Sequence, residues 1–480
     1  MRGDNYIGGK WTGSSEMREN INPSDTADSI GRFAQADAQQ LDDAAEAARG
    51  AQKIWARAGL EKRQAVLSAI GAELMARADE IGELLSREEG KPRAEGVGEV
   101  FRAGQFFNYY SAEVLRQLGE NADSVRPGIE IDIRREPLGV VGVISPWNFP
   151  LAAACWKIAP ALAFGNAVVW KPANLTPAVA VAFAEIFAKQ DAPPGAFNLL
   201  MGSGETIGER LAAHPGINAV SFTGSLDAGR KVAAAAARNL TKLQMEMGSK
   251  NPLLIMDDAD MELAVRHAAA GAFGGTGQKC TASSRLIAHK NIYEEFAEKT
   301  AAAAKALRVG HALDSKTQIG PVASAAQLQS NLEYMQLAKK EGAEFFCGGE
   351  ALELERPGYY MAPALFSGTN DMQVNREEMF APAACVISAD SYEHALALAN
   401  DTDYGLAAGI ITRSLSRAAH FRREAAAGCV MVNLPTAGTD YHVPFGGRKQ
   451  SSYGAREQGR IAAEFYTAVK TAYIFSGTPE

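Results

Sequence analysis

The stretch from Val140 to Phe222 constrains the fold most. Val140-Val141-Gly142-Val143-Ile144, Ala167-Val168-Val169-Trp170, Ala196-Phe197-Asn198-Leu199-Leu200 and Ala219-Val220-Ser221-Phe222 are short, continuous apolar runs, each separated from the next by a helical stretch. A run without polar alternation suits a strand covered on both faces, and parallel strands need a crossover, usually helical, to bring the chain back. The pattern predicts βαβ units in a doubly wound parallel sheet. A second series at 253–256, 284–288, 384–387 and 428–432 repeats the texture. At about 150 residues per domain, the 480 residues suggest about three domains or two large ones.

Outside these series the pattern changes. After a short polar opening, the first hundred residues are expected to be helical: Ala, Leu and Ile recur at helical spacing over 37–58 and over 61–88. Glu89-Gly90-Lys91-Pro92 then stops the second run. Ile129-Glu130-Ile131-Asp132-Ile133 alternates, as an exposed strand does, and the tail over 466–475 alternates again. The two are expected to pair between subunits as a protruding arm.

Several classes are excluded. The 48 Lys plus Arg against 56 Asp plus Glu leave a net charge of −8 with no basic block, which argues against nucleic-acid binding. The opening MRGDNYIGGKW lacks the apolar core of a secretory signal. The apolar stretch 151–170 is interrupted by Lys157, Pro160 and Asn166, so it reads as a buried helix and a strand, not a membrane span. The five cysteines are odd in number and scattered, with no CxxC or HExxH motif, so neither a disulfide framework nor a metal site is expected. A reducing cytoplasm is the expected compartment.

Five places carry chemistry. After the strand ending at Leu200, Gly202, Gly204 and Gly208 form G-x-G-x-x-x-G, one residue longer than the usual dinucleotide turn. Such glycines let backbone approach a pyrophosphate at a helix N-terminus, although a plain tight turn has the same composition. Phe222-Thr223-Gly224-Ser225, followed by Gly229, offers a second turn of this kind. Cys280 stands in Gly277-Gln278-Lys279-Cys280-Thr281. A lone cysteine is ordinarily a small buried apolar residue. The polar, glycine-rich surroundings and adjacent Lys279 instead favour a nucleophilic thiolate. Glu246 lies between Met245 and Met247, where desolvation raises its pKa and suits a general base; a solvated helix-end carboxylate is the alternative. Asn148, in Pro146-Trp147-Asn148-Phe149-Pro150, either caps the following helix or holds an oxyanion.

Taken in order, PWNFP at 146–150, KPANLTP at 171–177, FTGS at 222–225, MEMGSK at 245–250, GQKC at 277–280, EEMFAP at 377–382 and PFGGRK at 444–449 resemble the aldehyde dehydrogenase superfamily over nearly the whole chain. The resemblance implies two Rossmann-like α/β domains with a protruding β oligomerisation arm. The division is 1–122 with 142–246 for the NAD(P)-binding domain, 247–435 for the catalytic domain, 123–141 with 463–480 for the arm, and 436–462 for a return to the cofactor domain and substrate tunnel. Cys280 would attack the aldehyde carbon, Asn148 and the Cys280 N–H would hold the oxyanion, and Glu246 would activate water to release the acid. NAD or NADP would lie against Ile144, Pro146, Trp147, Lys171, Asn174, Gly204, Gly208, Phe222, Gly224, Ser225, Met247, Glu378 and Phe380. Within that set Lys171 would serve the adenosine ribose, Ser225 the pyrophosphate, and Glu378 with Phe380 the nicotinamide end. The arm implies a homodimer or homotetramer.

Four positions refine the resemblance. Glu246 is present, whereas CoA-acylating relatives typically lack that base, so hydrolytic release is implied. Asn174 stands where NAD-preferring members often carry Glu; without that carboxylate's repulsion a 2′-phosphate is tolerated. Ser249 replaces a usual Gly, a change expected to leave the base in place. Trp156 stands where succinic semialdehyde dehydrogenases can carry a carboxylate-binding Arg. The stretch 433–444, continuing to Ser451-Ser452-Tyr453-Gly454, looks like the α-ketoglutaric semialdehyde dehydrogenase branch, which oxidises 2,5-dioxopentanoate. That anionic substrate needs a cation in the tunnel, and Arg102 and Lys279 are the candidates, beside Thr281 and walls of Phe149, Trp156 and Phe445. The same walls suit a bulkier or aromatic aldehyde. A catalytically idle structural member of the fold is the remaining alternative, against which Cys280, Glu246, Asn148 and Lys171 all stand.

Overall fold

The computed structural model describes residues 2–477; the end of the expected arm, 478–480, lies outside the described residues. Two sheets organise the molecule. In the first, five parallel strands run in the order Phe197–Leu199, Ala167–Lys171, Val140–Ile144, Ala219–Thr223, Lys242–Glu246. Numbered along the chain that order is 3-2-1-4-5, so the winding direction reverses between Val140–Ile144 and Ala219–Thr223. A crevice opens at such a reversal, outside the carboxyl ends of the strands. Val140–Ile144 and Ala167–Lys171 are buried along their whole length, as continuous apolar runs require. Their crossover is the helix Ala152–Ala163, whose interior Pro160 leaves it intact, and the next helix, Pro177–Ala188, begins on its proline.

The second sheet has six parallel strands in the order Ala364–Ser367, Ala383–Ala389, Ser283–His289, Asn251–Ile255, Ala407–Ile411, Cys429–Val432, with Phe345–Cys347 antiparallel at one edge. The segment Met247-Gly248-Ser249-Lys250 carries the chain from the carboxyl end of the last parallel strand of the first sheet to the amino end of Asn251–Ile255. Carboxyl ends of one sheet therefore face amino ends of the other. The fold class is that expected, an α/β molecule built on two parallel sheets.

The amino-terminal expectation needs correcting. Four strands, Asn5–Ile7, Lys10–Thr12, Glu16–Ile21 and Ser29–Gln35, precede the first helix, Ala38–Ala56. They are short and their partner is partly remote, with Tyr6 opposite Leu199 in the first sheet, so local periodicity does not reveal them. The run over 61–88 is also not one helix. It breaks at Arg77 into Leu60–Ala76 and Ala78–Glu89 without interrupting the apolar spacing. Both pieces pack on the helix Arg93–Glu113 through glycines: a Cβ at Gly71 would lie 2.9 Å from the Gly104 carbonyl oxygen, and one at Gly82 would lie 2.5 Å from Val97 Cα.

The alternating tail forms the strand Thr467–Phe475, but its partner is Ile129–Pro137 of the same chain, antiparallel from Thr467 opposite Pro137 to Phe475 opposite Ile129. With Glu120–Asp123 on the other side, these make a three-stranded sheet that leaves Val469, Tyr473, Ile474 and Phe475 exposed. Among the described residues no helix is long and apolar enough to cross a membrane, and no cluster of three or more His, Cys, Asp or Glu is placed to hold a metal ion.

Candidate active site

A cleft of about 510 Å³ opens where the first sheet reverses its winding. Its walls include Ile144, Pro146, Trp147, Asn148, Phe149 and Trp156 from one side of the reversal, and Phe222, Gly224 and Ser225 from the other. Lys171, Asn174 and Gly204 extend it at one end, Met247 lines it beside the Phe222 turn, and Cys280, Glu378 and Phe380 join it from the second sheet. One continuous space thus connects the glycine turns to the thiol.

Local chemistry shapes each wall. Ser225 caps the helix Leu226–Ala237, accepting from the Ala228 N–H at 3.3 Å, so the amino end of that helix faces the cleft. Gly224 has no room for a side chain, since a Cβ would meet the Phe222 ring at 2.6 Å. The turn at Gly204–Gly208 is a single wide π-helical turn capped by Ser203, which accounts for the extra residue in the glycine spacing. Gly208 does not reach the cleft; it lies under the Lys171 side chain. Phe380 holds a left-handed backbone (φ +57°), costly for an aromatic residue, and its ring meets Trp147 edge-on with centroids 5.4 Å apart.

The Cys280 loop is pinned carbonyl by carbonyl. Thr276 adopts φ +57°, and Gly277 follows at φ +64° where a Cβ would overlap the Ala381 carbonyl oxygen. Asn148 Nδ2 donates to the Gln278 carbonyl at 2.9 Å, and Gln278 Oε1 accepts from the Ala323 N–H at 3.0 Å. The Cys280 carbonyl accepts from Asn251 Nδ2 at 2.7 Å and from the Ser249 hydroxyl. Thr281 is buried, its carbonyl accepting from Thr436 Oγ1 at 2.6 Å. Ser249 also donates its N–H to Glu378 Oε1 at 2.8 Å, tying that carboxylate to the same loop. The Ser in place of the usual Gly is thus a brace, a role its sequence context did not announce.

The electrostatics differ from expectation. Burial and the nearby carboxylates of Glu378 and Glu246 push the Cys280 thiol well above its ordinary pKa. Lys279 is not among the main influences on it, because its ammonium turns to the Ala270 carbonyl at 3.4 Å, on the side of Glu95, and feels Cys280 less than Glu95. The expectation of a thiolate stabilised by Lys279 does not match this arrangement, in which burial and the two carboxylates favour the thiol form. Glu246 ends the strand Lys242–Glu246 and is 3% exposed, so it is not a helix-end carboxylate. It lies behind Met247 rather than among the cleft's walls. Its Oε2 accepts from Ser452 Oγ at 2.5 Å, and its Oε1 crowds Gly446. Burial first, and then the charge of Glu457, raise its pKa. Glu457 is itself fully buried and paired with the buried Lys157, whose Nζ also donates to Ser221 Oγ at 3.0 Å.

The tunnel residues fall into two groups. Phe149 and Trp156 line the cleft, and Phe445 stands behind Trp156 with ring centroids 5.6 Å apart. Trp156 continues through Phe106 at 5.9 Å to Tyr441, which lies 6.4 Å from Phe106. Arg102 stacks over Tyr441 at 5.3 Å, at the far end of this aromatic row and outside the cleft proper. Three wall residues on the helix Ala325–Lys340 had no sequence signal: Gln327, Ser330 and Tyr334. Among the described residues, the buried Thr223 hydroxyl in the cleft wall has no partner and the buried Lys171 ammonium donates only to the Pro172 carbonyl at 2.9 Å, its pKa lowered by burial to about 8. These under-partnered groups, beside two strand-end turns, fit a large polar ligand.

A reversal-point cleft with a half-buried thiol, carboxylates and a helix amino end defines an enzyme site of the nucleotide-binding α/β kind. The chain belongs to the aldehyde dehydrogenase family, whose sequence profile matches residues 11–472, and it is an aldehyde dehydrogenase. It is 41% identical over 477 residues to the alpha-ketoglutaric semialdehyde dehydrogenase of Bacillus subtilis (strain 168), covering 98% of this chain and 97% of that one. It is 38% identical to the alpha-ketoglutarate semialdehyde dehydrogenase of Haloferax volcanii, covering 98% of each. Among solved structures, PnpE in complex with nicotinamide adenine dinucleotide superposes with a TM-score of 0.97 at 33% identity, covering 100% of this chain and 99% of that one.

Proposed function

We propose that the chain oxidises a small oxo-acid semialdehyde, 2,5-dioxopentanoate first among them, to the carboxylic acid, using a nicotinamide dinucleotide and without acyl transfer to CoA. The observation that carries this reading is the single cleft that joins Cys280 and Asn148 to Lys171, Ser225 and Glu378. The relatives named above support the substrate, and the bound dinucleotide of PnpE supports the cofactor.

In this reading the dinucleotide is held by Lys171 and Asn174 at the ribose end, by Gly224, Ser225 and the helix amino end at the pyrophosphate, and by Trp147, Glu378 and Phe380 at the ring. When bound, its nicotinamide supplies the two-electron acceptor. The Cys280 sulfur attacks the aldehyde carbon and gives a thiohemiacetal. Because the sulfur rests as a thiol, attack requires a proton acceptor, and Glu246 is the buried carboxylate whose raised pKa suits it to take that proton. Asn148 spends one N–H on Gln278 and keeps the other for the developing oxyanion, beside the Cys280 N–H. Once the carbon is oxidised, a thioester joins it to Cys280; Glu246 passes the thiol's proton to solvent, then removes a proton from the water that attacks the thioester, and the acid leaves as the carbon–sulfur bond breaks and the sulfur returns to Cys280. The 2-oxo acid end extends along the aromatic row toward Arg102, whose guanidinium receives the carboxylate; Lys279 is set aside because it faces Glu95.

The domain division and the cytoplasmic location remain part of this proposal. The exposed apolar residues of the three-stranded sheet support a homodimer or homotetramer, which a solution mass determines.

The test is kcat/KM with 2,5-dioxopentanoate, succinic semialdehyde, benzaldehyde and propanal, each with NAD and with NADP. A clear preference for the oxo acid supports the substrate. A preference for benzaldehyde supports instead an aromatic aldehyde, a reading favoured by the Phe149, Trp156 and Phe445 walls, and discards the oxo acid.

A further inference from the structure

Arg18 belongs to no motif, yet the fold carries it to the ribose end of the cleft. It lies on the strand Glu16–Ile21, paired with Ser29–Gln35 in a hairpin that stands apart from both large sheets. Two hydrogen bonds dock that hairpin onto the cofactor end. Asn20 Nδ2 donates to the Leu175 carbonyl at 2.9 Å, and the Ala36 N–H donates to the Met201 carbonyl at 2.7 Å. The hairpin thus sits against both the segment after Lys171 and the turn that begins the glycine series. Residues two apart on a strand share a face, so Arg18 points the same way as the docked Asn20.

Asn174 completes the arrangement. With its amide oriented to satisfy both neighbours, its nitrogen donates to the Gly202 carbonyl at 2.5 Å and its oxygen accepts from Arg18 Nη1 at 3.2 Å. Asn174 lines the cleft, as do Lys171 and Gly204, whereas Arg18 itself is exposed at the rim. One guanidinium N–H is engaged by Asn174, which leaves others of the planar fork free for a tetrahedral anion. The neighbouring turn adds Ser203 and Thr206, exposed hydroxyls 2.8 Å apart. The carboxylates nearby in sequence are Glu16 on the same strand face, Glu19 on the opposite face and bonded to Ser29 Oγ at 2.6 Å, and Glu205 in the turn.

We propose that Arg18, held by Asn174, is the residue through which this enzyme recognises the phosphate on the adenosine 2′-oxygen of NADP. The proposal rests on the assignment of the cleft to a nicotinamide dinucleotide. Arg18 is a specificity residue acting on binding, remote from the reacting atoms. A guanidinium and a phosphate form charge-assisted hydrogen bonds that a 2′-hydroxyl does not, so its contribution falls on NADP and spares NAD. Because Arg18 is at the rim, salt screens that contribution.

The test is equilibrium titration of the full-length enzyme with NADP and with NAD, read by protein fluorescence or calorimetry, at low and high salt. Arg18→Gln is expected to weaken NADP by about tenfold and NAD by less than about twofold. In the wild type the affinity ratio of NADP to NAD falls as salt rises, and in Arg18→Gln the ratio is flatter. Asn174→Glu, which puts a carboxylate against both Arg18 and the phosphate, is expected to weaken NADP several-fold more than NAD; an equal loss of both overturns the proposal. Equal loss of both nucleotides in Arg18→Gln, or no loss of either, overturns the proposal. A wild type that binds NAD and not NADP also overturns it, yet leaves the cofactor site standing. Binding of neither nucleotide removes both readings.

Discussion

The glycine-turn end of the cleft is made from consecutive residues, each strand passing directly into its turn and helix, whereas the thiol end is assembled from segments far apart in the chain. At the first end, Phe222, Gly224 and Ser225 act within one turn, and their geometry follows from local rules: a strand end, a glycine where a ring folds over, a serine cap. At the second end, Cys280 is positioned by Ser249, Asn251 and Asn148, and Glu246 by Ser452 and Gly446. The difference teaches which properties are robust. A turn keeps its shape under most distant substitutions, but the protonation state of a half-buried thiol depends on the charges packed around it.

The largest effect should come from the residue on which the second end is centred. Cys280→Ala is expected to lower aldehyde oxidation by at least about a thousandfold while leaving nucleotide affinity within about twofold, because sulfur chemistry and the glycine turns are separate constructions. Steady-state rates and nucleotide titration check it; loss of nucleotide binding as well would mean that the two ends are not independent. Glu246→Gln is expected to cost roughly a hundredfold or more in turnover. If its main work is water activation, a rapid-mixing trace keeps a burst of reduced cofactor; if proton removal from Cys280 dominates, the burst disappears.

A smaller change tests the substrate end. Arg102→Gln should raise KM for 2,5-dioxopentanoate by about tenfold and leave propanal unaffected, as removal of one charge-assisted contact would. An equal effect on both aldehydes would place Arg102 in packing over Tyr441 rather than in recognition.

The smallest effect is a displacement along the pH axis. Glu246 must be ionised to accept a proton, and its pKa is raised, so activity is lost as pH falls through that raised value. The acid limb of kcat/KM therefore lies well above the ordinary glutamate value of about 4.3. Glu457 contributes to the rise by like-charge repulsion, and the buried Lys157 opposes it. Glu457→Gln removes the repulsion and leaves the cation, so the limb should move to lower pH, by on the order of one unit. A limb that stays in place would show that burial alone sets the base.

The same contrast explains what was legible in the sequence. The two parallel sheets were readable because Val140–Ile144 and its counterparts announce burial by composition, and Cys280, Glu246 and Asn148 stand out as candidates because each is the marked residue of a recognisable motif. The hairpins before Ala38 were not readable, since Tyr6 gains its meaning only opposite Leu199. The direction of the Lys279 side chain was equally hidden: sequence adjacency to Cys280 says nothing about where Ala270 and Glu95 will lie. Gln327, Ser330 and Tyr334 reach the cleft from an ordinary amphipathic helix, and only tertiary packing distinguishes that helix from the others.

In the proposed reaction Cys280 carries the oxidised substrate until Glu246 releases it. The most direct measurement is rapid acid quench of Glu246→Gln with substrate and nucleotide, followed by mass spectrometry of the Cys280 peptide. The predicted result is an acyl adduct on Cys280 that accumulates with the burst of reduced cofactor. Cofactor reduction without any adduct on Cys280, or an adduct on another residue, would contradict it.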